Sequence, residues 1–256
     1  PSFAMLHQAY MSGVNYFDTA WIYHKSQSES FLGSFLKQID RNKVYVATKL
    51  PCWEITSRKQ MDEVLDQQLK RLQTDRIDYY LLHALNKKSW KEMNMLGVTD
   101  FLTKARENGK IRYAGFSFHD DYGTFNRIIH AYDWEFCQIM LNFLDTTYQA
   151  GLRGMRLAAS RGIGVISMEP LRGGKLVSSI PNDVIDIWRN DPANLDPVKR
   201  ALRWVWNNPE CTLLISGMST MEHVLQNTQE ASVATANSLV PSQLRKRSEE
   251  RRVGKE

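Results

Sequence analysis

The chain has 256 residues, 43% of them hydrophobic and 24% charged, which suits a globular protein with one large core or two small ones. No run of about 18 apolar residues occurs, so no membrane-spanning helix is expected, and the first residues lack the pattern of a signal peptide. The net charge of +5 is concentrated in RKRSEERRVGKE at the end of the chain, which argues against a nucleic-acid or membrane partner.

The sequence opens on PSFAMLHQAYMSG, a helical pattern ending at Gly13. VNYFDT (14–19) follows as a short apolar strand. A helix comes next, with Phe31, Leu32, Phe35, Leu36 and Ile39 on one stripe and Ser26 and Glu29 at capping-box spacing. KVYVATK (43–49) is the second strand. Thr56 and Ser57 are cap candidates for a helix bearing Met61, Val64, Leu65, Leu69 and Leu72. IDYYLLH (77–83) and IRYAGFS (111–117) are strands, and Phe125, Ile128, Ile129 and Tyr132 mark the helix after them.

CQIML (137–141) precedes a helix with Leu152, Met155 and Ala159, and GVISM (164–168) is the sixth strand. A long connection from Leu171 to about Asn194 contains Arg172-Gly173-Gly174-Lys175 and reads either as a lid or as an insertion. Val198, Ala201, Leu202 and Val205 form a further helix, CTLLIS (211–216) a seventh strand, and Val224 and Leu225 a last helix. Residues 236–256 read as a polar, basic tail without fixed structure.

Short, continuous apolar strands alternating with helices indicate a parallel α/β sheet buried on both faces. An open doubly wound sheet and a barrel both fit seven strands. No G-x-G-x-x-G follows any strand, which removes the usual nucleotide-binding turn of the open sheet. The expected fold is therefore a (β/α)8 TIM barrel over residues 1–235. It needs eight strands, so a first strand is expected before the opening helix, and the sequence reads as a fragment lacking it.

Cys52, Cys137 and Cys211 are far apart and have no histidines at ligand spacing. They are expected to be inert thiols in a reducing cytoplasm, with no metal site.

Three successive strands end in an ionisable residue: Asp18, Lys49 and His83. Adjacent strands lie about 4.8 Å apart, so these ends fall within roughly 10 Å of one another, at the barrel mouth where active sites form. Tyr23 lies in the loop just beyond Asp18. Each residue has a plain reading by itself: a turn aspartate, a solvated lysine, a core histidine, a half-buried tyrosine. Together they suit proton transfer to a carbonyl oxygen. A lysine cation beside a phenol favours its phenolate form, a carboxylate anchors the lysine, and a histidine polarises the carbonyl.

FDTAxxY, ATK and LLH, with 26 positions from Tyr23 to Lys49 and 34 from Lys49 to His83, resemble the catalytic tetrad of the aldo-keto reductases. The resemblance runs on through GKIRYAGFS, the Gln138 strand, MEPLRGG and SGMSTMEHVLQN, over about residues 5–230. It implies an oxidoreductase that reduces an aldehyde or ketone with NADP(H) or NAD(H). Tyr23 would be the general acid, Lys49 its partner, Asp18 the anchor and His83 the orienting group. By position, Ser117 and Gln138 would hold the nicotinamide carboxamide, and Met168 would stack on its ring. Leu171 and Gly173 would approach the pyrophosphate, and Gly217, Met218, Ser219, His223, Gln226 and Asn227 would surround the adenosine end. Trp21, Ile22, Trp53, Leu85 and Phe118 are candidate walls for a small-molecule carbonyl substrate.

Some features depart from that pattern. Phe118 stands where many members have an asparagine, and no Lys or Arg lies between Cys211 and Gln229 to meet a 2′-phosphate. The sequence is most similar to a bacterial branch that carries a C-terminal ferredoxin-like cysteine cluster, which it lacks. Two alternatives stay open: a cofactor-binding regulatory or interaction protein on the same fold, or a barrel left inactive by the lack of a strand.

Overall fold

A computed structural model describes residues 2–178, 180, 182, 184, 185 and 195–239. Its core is a parallel sheet of seven strands in the order β1 to β7: β1 Tyr16–Asp18, β2 Tyr45–Leu50, β3 Ile77–Leu85, β4 Ile111–Phe118, β5 Phe136–Met140, β6 Gly164–Met168 and β7 Leu213–Leu214. Every neighbouring pair is parallel. The architecture is a (β/α)8 barrel with seven of its strands among the described residues, and β1 and β7 form the two edges of the sheet.

Nine helices of eight or more residues are described: α1 Ser2–Met11, α2 Ser28–Leu36, α3 Arg58–Leu72, α4 Lys87–Met95, α5 Val98–Glu107, α6 Tyr122–Ile129, α7 Gly151–Ser160, α8 Pro197–Trp206 and α9 Met221–Val233. The first helix, α1, packs against α9. The helical layer thus continues across the gap that the sheet leaves. Ser57 caps α3, its hydroxyl accepting from Gln60 N, as its sequence position predicts. α4 and α5 have no clear helical signal in the sequence. Their polar composition hides the narrow stripe formed by Met93, Val98, Phe101, Leu102 and Ala105, all buried.

The capping box expected at Ser26 and Glu29 does not form. Helix α2 begins at Ser28 after Gln27, which makes no side-chain cap bond, and Glu29 turns inward to a buried network. Ahead of it, His24, Lys25 and Ser26 all adopt left-handed backbone, with φ of 50°, 57° and 63°. Residues other than glycine rarely do this, because Cβ then crowds the following carbonyl.

Strand periodicity sorts the side chains into two sets. Val46, Leu50, Tyr80, Leu82, Phe116, Phe118, Cys137, Ile139 and Val165 join the larger core shared with the helices. Ala47, Leu81, Phe136 and Ile166 fill the barrel interior, with Tyr16, Tyr79, Tyr113 and Leu213 packed on them. The rings of Tyr16, Tyr113 and Phe136 all stand 5.0–5.1 Å from that of Tyr79. This aromatic layer lines the N-terminal end of the barrel, around a cavity of about 190 Å³.

Of the long connection after Leu171, residues 171–174 form a turn and Lys175–Ser178 a single helical turn. Residues 186–194, where a lid or insertion was expected, lie outside the described residues. Beyond α9 the chain is held as far as Leu239. Asn207 accepts from Asn237 N through its carbonyl and from Leu239 N through Oδ1, and Leu239 is buried. The remainder of the expected tail, 240–256, lies outside the described residues.

Candidate active site

Positions of one parity on β1 to β6 bring Asp18, Lys49, His83, Ser117, Gln138 and Met168 to the C-terminal mouth of the barrel. Lys49 is 1% exposed. Its Nζ donates to Asp18 Oδ1 at 2.5 Å and to the Thr19 carbonyl at 2.7 Å. The same ammonium stands 4.9 Å from the centre of the Tyr23 ring. The Tyr23 and His83 rings meet edge to face with centroids 6.0 Å apart. The four residues singled out at the strand ends and in the first loop therefore converge.

Burial and charge tune this group. Burial outweighs the attraction of Lys49 and holds the Asp18 carboxyl above the usual carboxylate range. Its Oδ2 is buried without a hydrogen-bond partner among the described residues, which accounts for the uncompensated cost. Burial, Lys49 and His119 together push His83 down to about 3. His83 is thus a neutral imidazole at physiological pH, able to donate a hydrogen bond but already stripped of its transferable proton. Tyr23, 36% exposed, is the member of the group most open to solvent.

Of the candidate nicotinamide contacts, Ser117 and Gln138 are paired across β4 and β5. Ser117 Oγ accepts from Ala84 N at 2.7 Å. Gln138 Nε2 lies 3.8 Å from Met168 Sδ, while its Oε1 is buried with no hydrogen-bond partner among the described residues. Leu171 packs on the core, and Gly173 is exposed with φ +64°. At α9, Thr220 caps the helix by accepting from His223 N, and Ser219 N lies 3.5 Å from His223 Nδ1. Gln226 Nε2 reaches Asp196 Oδ1 (3.4 Å) and Asn227 Nδ2 reaches Ser216 Oγ (3.2 Å). Gly217 is exposed and Met218 half-buried. These residues form one loop and helix start beyond β7.

The expected pocket walls divide. Trp53, half exposed, places its ring 5.0 Å from that of His83, and Ile22 is exposed beside Tyr23. Leu85 and Phe118, by contrast, are fully buried in the core between sheet and helices and do not line the mouth. Phe118 follows inward-facing Ser117 and so points outward. Leu85 shares the parity of His83, but Ala84 has φ 52° and the register shifts between Leu82 and Leu85, turning Leu85 to the other face. Trp21 is held on both sides, its Nε1 donating to Glu54 Oε2 and its ring lying under Arg71.

Three participants escaped the sequence reading. The Thr19 carbonyl is a second acceptor for Lys49, and backbone groups leave no sequence signal. His119 contributes to the lowered His83, and only its place one residue past β4 could have marked it. Glu29 was mistaken for a capping residue.

The cysteines are free. Burial pushes Cys52 to about 12 and Cys211 to about 11, so neither is a reactive thiolate. Among the described residues, no group of three or more His, Cys, Asp or Glu could hold a metal, and no helix is long and apolar enough to cross a membrane.

A parallel barrel whose mouth joins a phenol, a buried ammonium–carboxylate pair and a neutral imidazole defines an oxidoreductase class. Residues 1–240 match the aldo/keto reductase family, and the chain belongs to it. L-galactose dehydrogenase of Arabidopsis thaliana is 27% identical, across 88% of this chain and 76% of its own length. Protein tas of Escherichia coli is 25% identical, across 88% and 82%. Among solved structures, the holo form of aldo-keto reductase AKR11C1 from Bacillus halodurans superposes with a TM-score of 0.80 at 22% identity, covering 97% of this chain and 86% of the other. An aldo/keto reductase from Klebsiella pneumoniae in complex with NADP and acetate gives 0.77 at 21%, covering 96% and 83%.

Proposed function

We propose that this chain reduces an aldehyde or ketone to the alcohol, with Tyr23 as the proton donor. The observation that carries the reading is the position of Lys49, fixed by Asp18 and the Thr19 carbonyl with its charge 4.9 Å from the Tyr23 ring. When bound, a nicotinamide cofactor supplies the hydride to the carbonyl carbon. Tyr23 gives its proton to the carbonyl oxygen, and the ammonium stabilises the negative charge left on the phenol oxygen. Solvent can return the proton because the ring is partly exposed. His83, neutral, orients the carbonyl by hydrogen bonding.

Ser117, Gln138 and Met168 would hold the nicotinamide, and Gln138 Oε1, which has no partner among the described residues, fits a carboxamide N–H donor. Leu171 and Gly173 would face the pyrophosphate, and the segment from Gly217 to Asn227 the adenosine. NADP(H) is the proposed cofactor, supported by the NADP complex of the Klebsiella relative. NAD(H) is the alternative, because no cation lies between Cys211 and Gln229. Trp53 and Ile22 would form the apolar rim for the substrate, and the three free thiols suit a reducing cytoplasm.

The test is NADPH oxidation against a panel of aldehydes, for the parent and for Tyr23→Phe, beside a fluorescence titration of cofactor. The variant should lose turnover and keep the parent's Kd. Parent-like turnover in Tyr23→Phe refutes the assignment. Cofactor binding without any oxidation by the parent would instead make the chain a cofactor-binding regulatory protein.

A further inference from the structure

Behind the mouth lies a buried polar network that the chemistry above does not use. Glu29, on α2, is 0% exposed. Its Oε1 accepts from Thr48 Oγ1 at 2.6 Å and from Gln68 Nε2 at 2.8 Å, and its Oε2 accepts from Arg71 at 3.1 Å. Gln68 Nε2 also donates to the carbonyl of Lys49 at 2.9 Å, while its Oε1 accepts from Tyr80 OH at 2.8 Å. A buried carboxylate with three donors, two of them on one helix, is costly to leave incomplete.

The network reaches the other half of the site as well. The Arg71 guanidinium lies 3.7 Å from the centre of the Trp21 ring, two residues before Tyr23. Trp21 Nε1 is held by Glu54 Oε2 at 3.0 Å, and Thr19 Oγ1 donates to Ser28 Oγ at 2.8 Å. One carboxylate thus ties the backbone of Lys49, through Gln68, to the loop that presents Tyr23, through Arg71 and Trp21. The loop needs such a tie, since the residues after Tyr23 are in left-handed backbone.

We propose that Glu29, Arg71 and Trp21 form a clamp of positioning residues that sets the Tyr23 loop against Lys49. This deepens the reading of the site as a carbonyl reductase and rests on it. None of the three is a proton donor. Glu29 and Arg71 act through the carbonyl of Lys49 and the Trp21 ring, and Arg71 lies on α3, outside the barrel mouth.

The test uses the full chain with Arg71→Leu, which removes the tie from a half-buried helix position. Arg71→Lys keeps the charge and loses the planar stack. Amide exchange, read by mass spectrometry over residues 19–28, should be about tenfold faster in Arg71→Leu and intermediate in Arg71→Lys. Exchange over β5 and β6 should be unchanged. In the same variant kcat for carbonyl reduction should fall about tenfold, with the cofactor Kd unchanged. Trp21→Leu should give the same pattern, and the double variant should be no worse than either single one.

Unaltered exchange over 19–28 in Arg71→Leu overturns the clamp, whatever the activity. So does faster exchange with undiminished kcat. Should the parent reduce no carbonyl compound, the functional reading fails, while the exchange measurement still decides whether the clamp exists.

Discussion

Lys49 Nζ lies 2.5 Å from Asp18 Oδ1 in a setting where the ammonium is almost wholly enclosed and the second oxygen of the carboxylate has no hydrogen-bond partner among the described residues. Removing one member of such a pair leaves the other as a buried, uncompensated charge. Asp18→Ala should therefore cost about 3–5 kcal/mol of stability, read by urea denaturation. Asp18→Ala should also lower kcat, because Lys49 is then held by the Thr19 carbonyl alone. Lys49→Met should lower kcat by about 10²-fold or more, measured by NADPH oxidation with cofactor Kd as the control.

The depressed His83 sets a pH dependence of stability. Its value of about 3 in the fold lies below the ordinary 6.5 of the unfolded chain. Between those limits the unfolded state binds the extra proton, so the His83 contribution is complete above about pH 6.5 and is lost as pH falls toward 3. Asp18, held above its ordinary value, acts in the opposite sense at low pH and is common to parent and variant. His83→Asn should flatten the decline of Tm between pH 6.5 and 5. Parallel Tm curves for the two proteins would show that His83 does not titrate as the geometry requires.

Left-handed backbone at Lys25 and Ser26 should be relieved by glycine. Lys25→Gly is expected to raise stability by about 1 kcal/mol, a Tm increase of roughly 2–4 °C for a chain of this size. Lys25→Ile should do the reverse, because a β-branched residue tolerates positive φ least. Differential scanning calorimetry of both variants distinguishes local strain from a permissive turn.

Gly33 is required by packing rather than by its own backbone. A Cβ there would clash with the Arg71 carbonyl oxygen and come within 2.7 Å of the Leu72 carbonyl carbon. Gly33→Ala must push α2 away from α3, at a cost of about 2 kcal/mol and a Tm drop of roughly 4–8 °C. Because the displaced helices carry Glu29 and Arg71, faster exchange over residues 19–28 should accompany the loss.

Much of the fold can be read from the chain before any coordinates. Each of the seven strands overlaps its expected segment, and GVISM coincides with β6. The alternation that places Ser117 inward and Phe118 outward is also legible in the strand, and it sets Phe118 away from the mouth. Leu85 differs, since only the bulge after His83 moves it to the far face. α4 and α5 were illegible because a few buried residues in a polar segment give a weak helical signal.

By itself the sequence determined which ionisable groups lie at or near the ends of successive strands and on which face they stand. Strand period and strand spacing are local properties of the backbone, so Asp18, Lys49 and His83 could be brought together from their positions alone. Only the tertiary structure decided how they are charged and held. Desolvation and neighbouring charges depend on every element packed around a group, and they make His83 neutral while enclosing Lys49 beside Asp18. Tertiary packing also made Glu29, in the first turn of α2, a buried acceptor shared by β2 and α3 rather than a cap, a role no spacing rule encodes.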